Sequence, residues 1–594
     1  MAVMLATTTR RRDGLPLAAL EFLLVCSAFV SLLIMLKAWL AGSVLLETSI
    51  AAAQNPYWTG WHGDGPSWKW SGRNTAGGFW FGQTEDAVAT LQSTFFNGTY
   101  YPGTLQWINA LIDTIVASTE ETFTTGLATY NGDVPGAQTT ATEIQNNIQK
   151  YYSQIESYYR GEDTIQIFDA AYDDAQWVVL EWLEVIRFLE QYNAHTKSNL
   201  GQSETADYAH RAHIFYNIVQ DKFNTSQCEG GLTWNPTLAT YKNAITNELF
   251  VSSSIAMYFF FPGDSDTDPY PHPDYRAQTN KTLPPLPYLA PHDPLLLQNA
   301  KETWNWMKAH NFTNSQGLIV DGFHISDGQT TCDERNEMVY TYNQGVMLSG
   351  LRYLWEATGD TTYLNDGYNL IDTVIRATGW SAPGYAQAGE WAGLGRNGIL
   401  EDYCDAPANC SNDNLIFKGA YFEHMDIFCN ALATTTPMVE GVSKLASSDL
   451  AEQHYTKCNS YSPWVQHNAW AALSTRDSSG IFGEWWGAPF YNKTQAPWPE
   501  YAEERPKGSL DIWNDPELLS QSPWKCEGLQ YGCGGDGGGG GGGSGGRNRG
   551  RRFIKRRQSG TGGDGQVRHV ATQAQGLSVV KAAADWTLFK SRKP

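Results

Sequence analysis

A chain of 594 residues is long enough to bury a large core in one or two domains. Its 62 acidic residues against 41 Lys and Arg leave a net charge of -21, which argues against nucleic acid and an anionic membrane surface as partners. Aromatic residues make up 13% of the chain, a composition that suits stacking on the apolar faces of sugars and equally fills a large core.

At the N-terminus Arg10, Arg11 and Arg12 precede an apolar run over 22–35, then Lys37 and a second apolar run over 38–46. Basic residues ahead of a short hydrophobic stretch predict a secretory signal, with Ala51, Ala52 and Ala53 as a small-residue cleavage site. Residues 1–53 are therefore read as a signal peptide. The alternative is an uncleaved signal anchor over 15–46, a membrane tether through the N-terminal apolar segment with its basic side cytoplasmic. Either reading sends the protein out of the cell, secreted, in the cell wall or on the extracellular face of the membrane. The cysteines agree, since leaving out Cys26 leaves eight, an even set that suits disulfides in an exported chain. Cys404–Cys410 and Cys526–Cys533 are candidate local loops, and no paired metal-ligand spacing occurs. Sequons at Asn97, Asn224, Asn280, Asn311, Asn409 and Asn492 fit a glycosylated surface.

A Trp- and Gly-rich approach over 57–80 leads into helical periodicity, with apolar residues at three- and four-residue steps such as Leu105, Ile108, Leu111 and Ile115. The pattern predicts helices near 84–95, 103–120, 139–158, 173–193, 204–224, 241–259, 294–310, 342–357, 361–377, 416–432, 434–447 and 464–474. Strand-like alternation is scarce. About twelve helices in one domain predict an all-α fold of six helical hairpins closed into an (α/α)6 toroid, with a solenoid as the alternative. The domain is placed at 54–533. The long Pro-rich stretch 262–294 is expected to build the rim of a site. From Gly534 to Gly546 the chain is nearly all glycine, and a basic run over 547–557 follows. Residues 534–594 are read as a Gly-rich and basic flexible tail, with a short amphipathic helix over 571–589. No apolar C-terminal run signals a lipid anchor.

Asp173 and Asp174 stand side by side at the start of one predicted helix, ahead of Trp177 and Trp182. Adjacent carboxylates repel, so one keeps a proton while the other ionises. A glycosidase needs that division between a general acid and a nucleophile or base. The same pair also suits the first turn of any helix, facing its free N–H groups. Other polar clusters fall at helix starts, where a toroid gathers side chains. Gly230 and Gly231 precede Trp234, and Lys242, Asn243 and Asn247 follow, offering a stacking face and donors for sugar hydroxyls. Tyr342, Asn343 and Gln344 open a long apolar helix after Asp321. Lys418 follows a loop that Cys404 and Cys410 would clamp. Turns, caps and solvated lysines are the plainer account of each.

Taken in order, Tyr172-Asp173-Asp174 with Trp177, Gly230-Gly231 with Trp234, Tyr241-Lys242-Asn243-Ala244-Ile245 with Asn247, Tyr342-Asn343-Gln344-Gly345 and Phe417-Lys418-Gly419 resemble glycoside hydrolase family 76. That family contains endo-α-1,6-mannanases and related fungal cell-wall proteins. The resemblance runs from about Thr84 to Trp485. It implies an (α/α)6 barrel and a retaining mechanism on α-1,6-linked mannose, in mannan or a mannose-containing cell-wall glycan. Asp173 is then the nucleophile and Asp174 the acid/base, with carboxyl groups about 5–5.5 Å apart. Trp177, Trp234, Lys242, Asn243, Tyr342, Asn343, Gln344 and Lys418 become candidate substrate-binding residues, and no metal or organic cofactor is called for. The chain departs from wall-building fungal members in lacking a C-terminal lipid-anchor signal. The alternatives are a transglycosylase that links mannan or a lipid-anchor glycan to wall glucan, a glycan-binding module without turnover, and, more remotely, a terpene cyclase on the same toroid.

Overall fold

The three- and four-residue spacing of apolar side chains is realised as thirteen helices of twelve residues or more. They lie within the residues that the computed structural model describes, 76–161, 163–380, 391–406, 410–488 and 567–590. In chain order they are α1 (Ala76–Phe95), α2 (Gln106–Tyr130), α3 (Ala141–Gly161), α4 (Tyr172–Thr196), α5 (Thr205–Val219), α6 (Ala244–Phe260) and α7 (Pro294–Ala309). There follow α8 (Thr341–Thr358), α9 (Thr362–Ala377), α10 (Phe417–Phe428), α11 (Ser448–Asn459), α12 (Ser462–Leu473) and α13 (Val570–Asp585).

Six of these, α2, α4, α6, α8, α10 and α13, pack each on the next, and α13 returns to α2, so they close a ring. Outside it α3, α5, α7 and α9 back α2, α4, α6 and α8, while α1 and α12 both lie on α13. The fold is the expected all-α (α/α)6 toroid. Glycine sets the spacing at two crossings of the inner ring. A Cβ on Gly345 of α8 would stand 2.4 Å from Tyr421 Cα, and one on Gly419 of α10 would stand 2.9 Å from Gln575 Cα. Strands are few and short among the described residues. β1 (Tyr241–Asn243), β2 (Gly322–His324) and β3 (Glu334–Asn336) form an antiparallel sheet with Lys242 opposite Phe323, and β4 (Gly395–Arg396) pairs with β5 (Ile399–Leu400).

Eleven of the twelve expected helices are present, within a few residues at most ends, although α2 runs ten residues further than expected. The helix expected over 434–447 is absent. Thr434, Thr435, Thr436, Pro437 and Gly441 break it, and the helix starts instead after Ser447, whose hydroxyl accepts from Leu450 N at 3.2 Å. The reading of 534–594 as a flexible tail is corrected for its last part. α13 is buried along its whole length and supplies the sixth inner helix, so the folded domain does not end at 533. Its Lys581 ammonium lies 3.1 Å from Asp426 Oδ2 and 3.3 Å from Glu423 Oε2 of α10, and the Trp586 indole donates to Cys458 O at 2.9 Å.

Disulfides Cys228–Cys332, Cys404–Cys410 and Cys429–Cys458 are formed. The Cys526–Cys533 candidate, the 15–46 stretch and the glycine-rich basic run lie outside the described residues, as do Asn409 and Asn492. Asn97, Asn224, Asn280 and Asn311 are exposed. No described helix is long and apolar enough to cross a membrane.

The ring interior holds carboxyl groups that water does not reach. Glu248 on α6 is fully buried with no hydrogen-bond partner for either oxygen. Burial, and then the Asp321 charge, hold its pKa well above the usual carboxylate range. The folded chain thus keeps a proton that the unfolded chain loses above about pH 4.3. Its contribution to stability is present below that pH and falls as pH rises, by roughly 1.4 kcal/mol per unit until the folded group ionises. Glu248→Gln is expected to gain on the parent between pH 5 and pH 8 in urea unfolding. A difference that stays constant over that range would show that Glu248 is not carrying a proton.

Candidate active site

The first turns of the inner helices meet at one end of the ring. Asp173 and Asp174 occupy the first turn of α4, both half-buried. The helix is entered through Ala171, an N-cap residue without a side-chain cap, so the aspartates are not its capping residues. The loop before α6 lies alongside, because Tyr172 N donates to Trp234 O at 2.9 Å. This places the Trp234 indole to donate to Asp173 Oδ2 at 3.1 Å, while Asp174 N donates to Asp173 Oδ1 at 3.1 Å. Burial pushes the Asp173 carboxyl up to about 7; these hydrogen bonds oppose the rise, and the Asp413 charge adds to it.

Tyr342, in the first turn of α8, is half-buried and stacked on Phe417 of α10, with ring centroids 3.7 Å apart and planes 6° apart. Its phenol is held neutral, first by burial and then by the charges of Asp321 and Asp173. Asp321 precedes β2 and is itself buried, accepting from the Tyr241 hydroxyl, from Asn336 Nδ2 at 3.2 Å and from Asn343 Nδ2 at 3.3 Å. Trp107, at the start of α2, stacks on Trp177 at 5.6 Å and donates to Asp413 Oδ1 at 3.0 Å.

Of the residues expected to bind substrate, Trp234 and Tyr342 stand beside the aspartate pair with part of their surface open. The others are buried. Trp177 is 2% exposed, and Asn243 and Asn343 are buried. Lys242 is fully buried and donates to Gly231 O at 2.5 Å, and burial lowers its pKa to about 8. Gln344 clips a loop, accepting from Ile319 N and donating to Ile319 O, both at 2.8 Å. Lys418 is paired with Asp405 at 2.6 Å, both fully buried. In Lys242, Gln344 and Lys418 a long polar side chain at or near a helix start satisfies a buried backbone group or carboxylate. The double glycine makes room for Trp306, whose ring would lie 2.4 Å from a Cβ on Gly231. Cys404, Asp405 and Cys410 are the metal-type cluster found among the described residues, and the two cysteines are a disulfide. Trp107, Asp321 and Asp413 were not among the expected site residues; Asp321 lies ahead of the Tyr342 cluster and Asp413 follows the Cys404–Cys410 disulfide, while nothing in its sequence neighbourhood marks Trp107.

This arrangement sets an electron-rich carboxyl pair in a largely dry setting, flanked by aromatic faces and neutral donors. Such a pair can support acid–base and nucleophilic chemistry at an acetal carbon. Residues 288–483 match the model of glycosyl hydrolase family 76, a segment that contains Tyr342 and Lys418 and begins after Asp173. Among curated proteins the chain is similar to the mannan endo-1,6-alpha-mannosidase DCW1 of Candida albicans, 24% identical over 46% of this chain and 50% of that protein. It is also similar to the mannan endo-1,6-alpha-mannosidase DFG5 of Candida albicans, 22% identical over 37% of this chain and 40% of that protein. The chain thus spans half or less of the length of these relatives. Among solved structures it is similar to an inactive variant of the alpha-1,6-mannanase GH76A of Salegentibacter sp. in complex with alpha-1,6-mannotetrose. That likeness has a TM-score of 0.45 at 15% identity, covering 85% of this chain and 99% of that one. Dfg5 from Chaetomium thermophilum in complex with glucosamine gives a TM-score of 0.44 at 12% identity, covering 87% and 92%.

Proposed function

We propose, for a chain whose residues 288–483 match the model of glycosyl hydrolase family 76, a retaining endo-acting glycosidase that cleaves α-1,6-mannosidic linkages in mannan or cell-wall mannoprotein glycans outside the cell. The observation that carries the reading is the adjacent pair Asp173 and Asp174 in the first turn of an inner helix, with Asp173 oriented by the Trp234 indole. In the first step Asp173, in the ionised form that prevails above about pH 7, attacks the anomeric carbon through Oδ as the bond from that carbon to the glycosidic oxygen breaks, and Asp174 gives its proton to that oxygen. In the second step water attacks the same carbon, Asp174 takes a proton from the water, and the bond to Asp173 breaks with its electron pair returning to the carboxylate. Trp234 and Tyr342 offer the sugar an aromatic face beside the pair.

Loss of substrate and its product profile test the reading, using linear α-1,6-mannohexaose and the chain from Gln54 onward. Shorter oligosaccharides released first in the α-configuration are the expected result. Products longer than the hexamer would shift the function to transglycosylation, in which a sugar hydroxyl replaces water in the second step. An untouched hexamer with folded protein would overturn the mannosidase reading.

A further inference from the structure

We propose that Asp413 is a positioning residue for the reaction at Asp173: from a disulfide-clamped loop it fixes the Trp107–Trp177 pair beneath the aspartates and brings a third carboxylate to the site. The proposal rests on the glycosidase reading of Asp173 and Asp174.

The brace is continuous. Cys404 is bonded to Cys410, and Asp413 follows Cys410 by three residues, just ahead of α10. Ser411 Oγ lies 3.4 Å from Asp413 Oδ2, and Asp413 Oδ1 accepts from Trp107 Nε1 at 3.0 Å across 306 residues of sequence. Trp107 stacks on Trp177, with planes 26° apart. Trp177 lies four residues after Asp173, one turn further along the same face of α4. A loop on one side of the ring thereby sets the height of the helix turn that carries the nucleophile on the other.

Burial raises the Asp413 carboxyl too, and the bonds from Trp107 and Ser411 oppose the rise, so its charge acts on Asp173 where Asp413 is ionised. Asp173 is faced by Asp174 from its own helix, by Asp413 from the loop before α10 and by Tyr342 from α8, with Asp321 and Tyr241 behind Tyr342. The lysines expected here are turned away, Lys242 to Gly231 and Lys418 to Asp405, so they do not offset Asp413. A carboxylate so placed raises the proton affinity of Asp173, which costs the free enzyme some of the ionised nucleophile. It also stabilises positive charge that develops on a sugar ring bonded to Asp173 in the transition state.

Asp413→Asn keeps an acceptor for the Trp107 indole and removes the charge, and Asp413→Ser does the same with a hydroxyl should the amide variant not fold. The deciding readout needs no substrate. Trp234 fluorescence, taken as the difference between the chain and its Trp234→Phe variant, reports the titration of Asp173. Removing the charge is expected to lower its midpoint by about 0.5 pH unit or more, a shift a merely structural role would not produce. On α-1,6-mannohexaose kcat is expected to fall about 10- to 100-fold with KM changed less than about threefold, since the lost interaction is made in the transition state. An unmoved midpoint overturns the role of Asp413 whatever the kinetics show. A parent chain that leaves mannohexaose intact overturns the mannosidase reading instead, and the midpoint still decides Asp413.

Discussion

Asp173→Asn and Asp174→Asn are each expected to remove turnover of α-1,6-mannan while leaving the fold in place, and they should fail in different ways. Asp173 Oδ forms the bond to the anomeric carbon, so its amide variant loses the first step for every substrate, however good the leaving group. Asp174 supplies a proton to the departing oxygen, a contribution of about 10²- to 10⁴-fold. An aryl mannoside whose phenol leaves without protonation should therefore recover much of the first step in Asp174→Asn and none in Asp173→Asn. The two variants also separate the chemistry from the plainer account of the pair as first-turn acids. Ala171 is the N-cap and makes no side-chain cap bond, and Asp173 spends its oxygens on Asp174 N and on Trp234. Were the pair only a helix-end device, each substitution would cost on the order of 1 kcal/mol of stability and no activity. Retained turnover in Asp173→Asn would sink the assignment. Thermal unfolding of both variants belongs in the same experiment, because a variant that does not fold says nothing about the step it lost.

Helices with one apolar face and one wet face were legible in the sequence, and so were the aspartates, because two adjacent carboxylates ahead of tryptophans make a local signal. What escaped was written in contacts rather than in neighbours. A helix over 571–589 was legible, but as an amphipathic piece of a tail after a glycine-rich basic run; α13 is instead buried on all sides, and its place in the ring is set by contacts with distant helices. Lys581 and Asp585 look like solvated charges there, but the ammonium is matched by Glu423 and Asp426 across a crossing to α10. Asp413 is a single aspartate in a loop, and its meaning comes from an indole 306 residues away. Lys242, Gln344 and Lys418 were legible as polar residues at helix starts, but their partners Gly231, Ile319 and Asp405 were not.

Ending the chain after Gln566 is expected to destroy the fold, although that change would be silent if 534–594 were only a flexible tail. The deletion removes α13, one of six inner helices, and with it the buried side chains of Val570, Leu577, Val579, Val580, Trp586 and Leu588. Burying an aliphatic or aromatic side chain of this size is worth about 1.5–3 kcal/mol, so these six carry roughly 10 kcal/mol or more, comparable to the whole stability of a typical domain. The loss is compounded at the crossing to α10, where Glu423 and Asp426 would keep their burial without the Lys581 ammonium. A buried pair broken from one side costs about 3–5 kcal/mol, because the remaining charge has neither partner nor water. Lys581→Met isolates that second effect within an otherwise complete chain. It should lower the unfolding midpoint clearly at pH 7 and less at pH 4.5, where Glu423, raised to about 7 mainly by burial, is protonated and needs no counter-charge. Circular dichroism and urea unfolding read both variants. A truncated chain that unfolds cooperatively at the parent's urea midpoint would show that five inner helices suffice, and the ring-closing role of α13 would have to be given up.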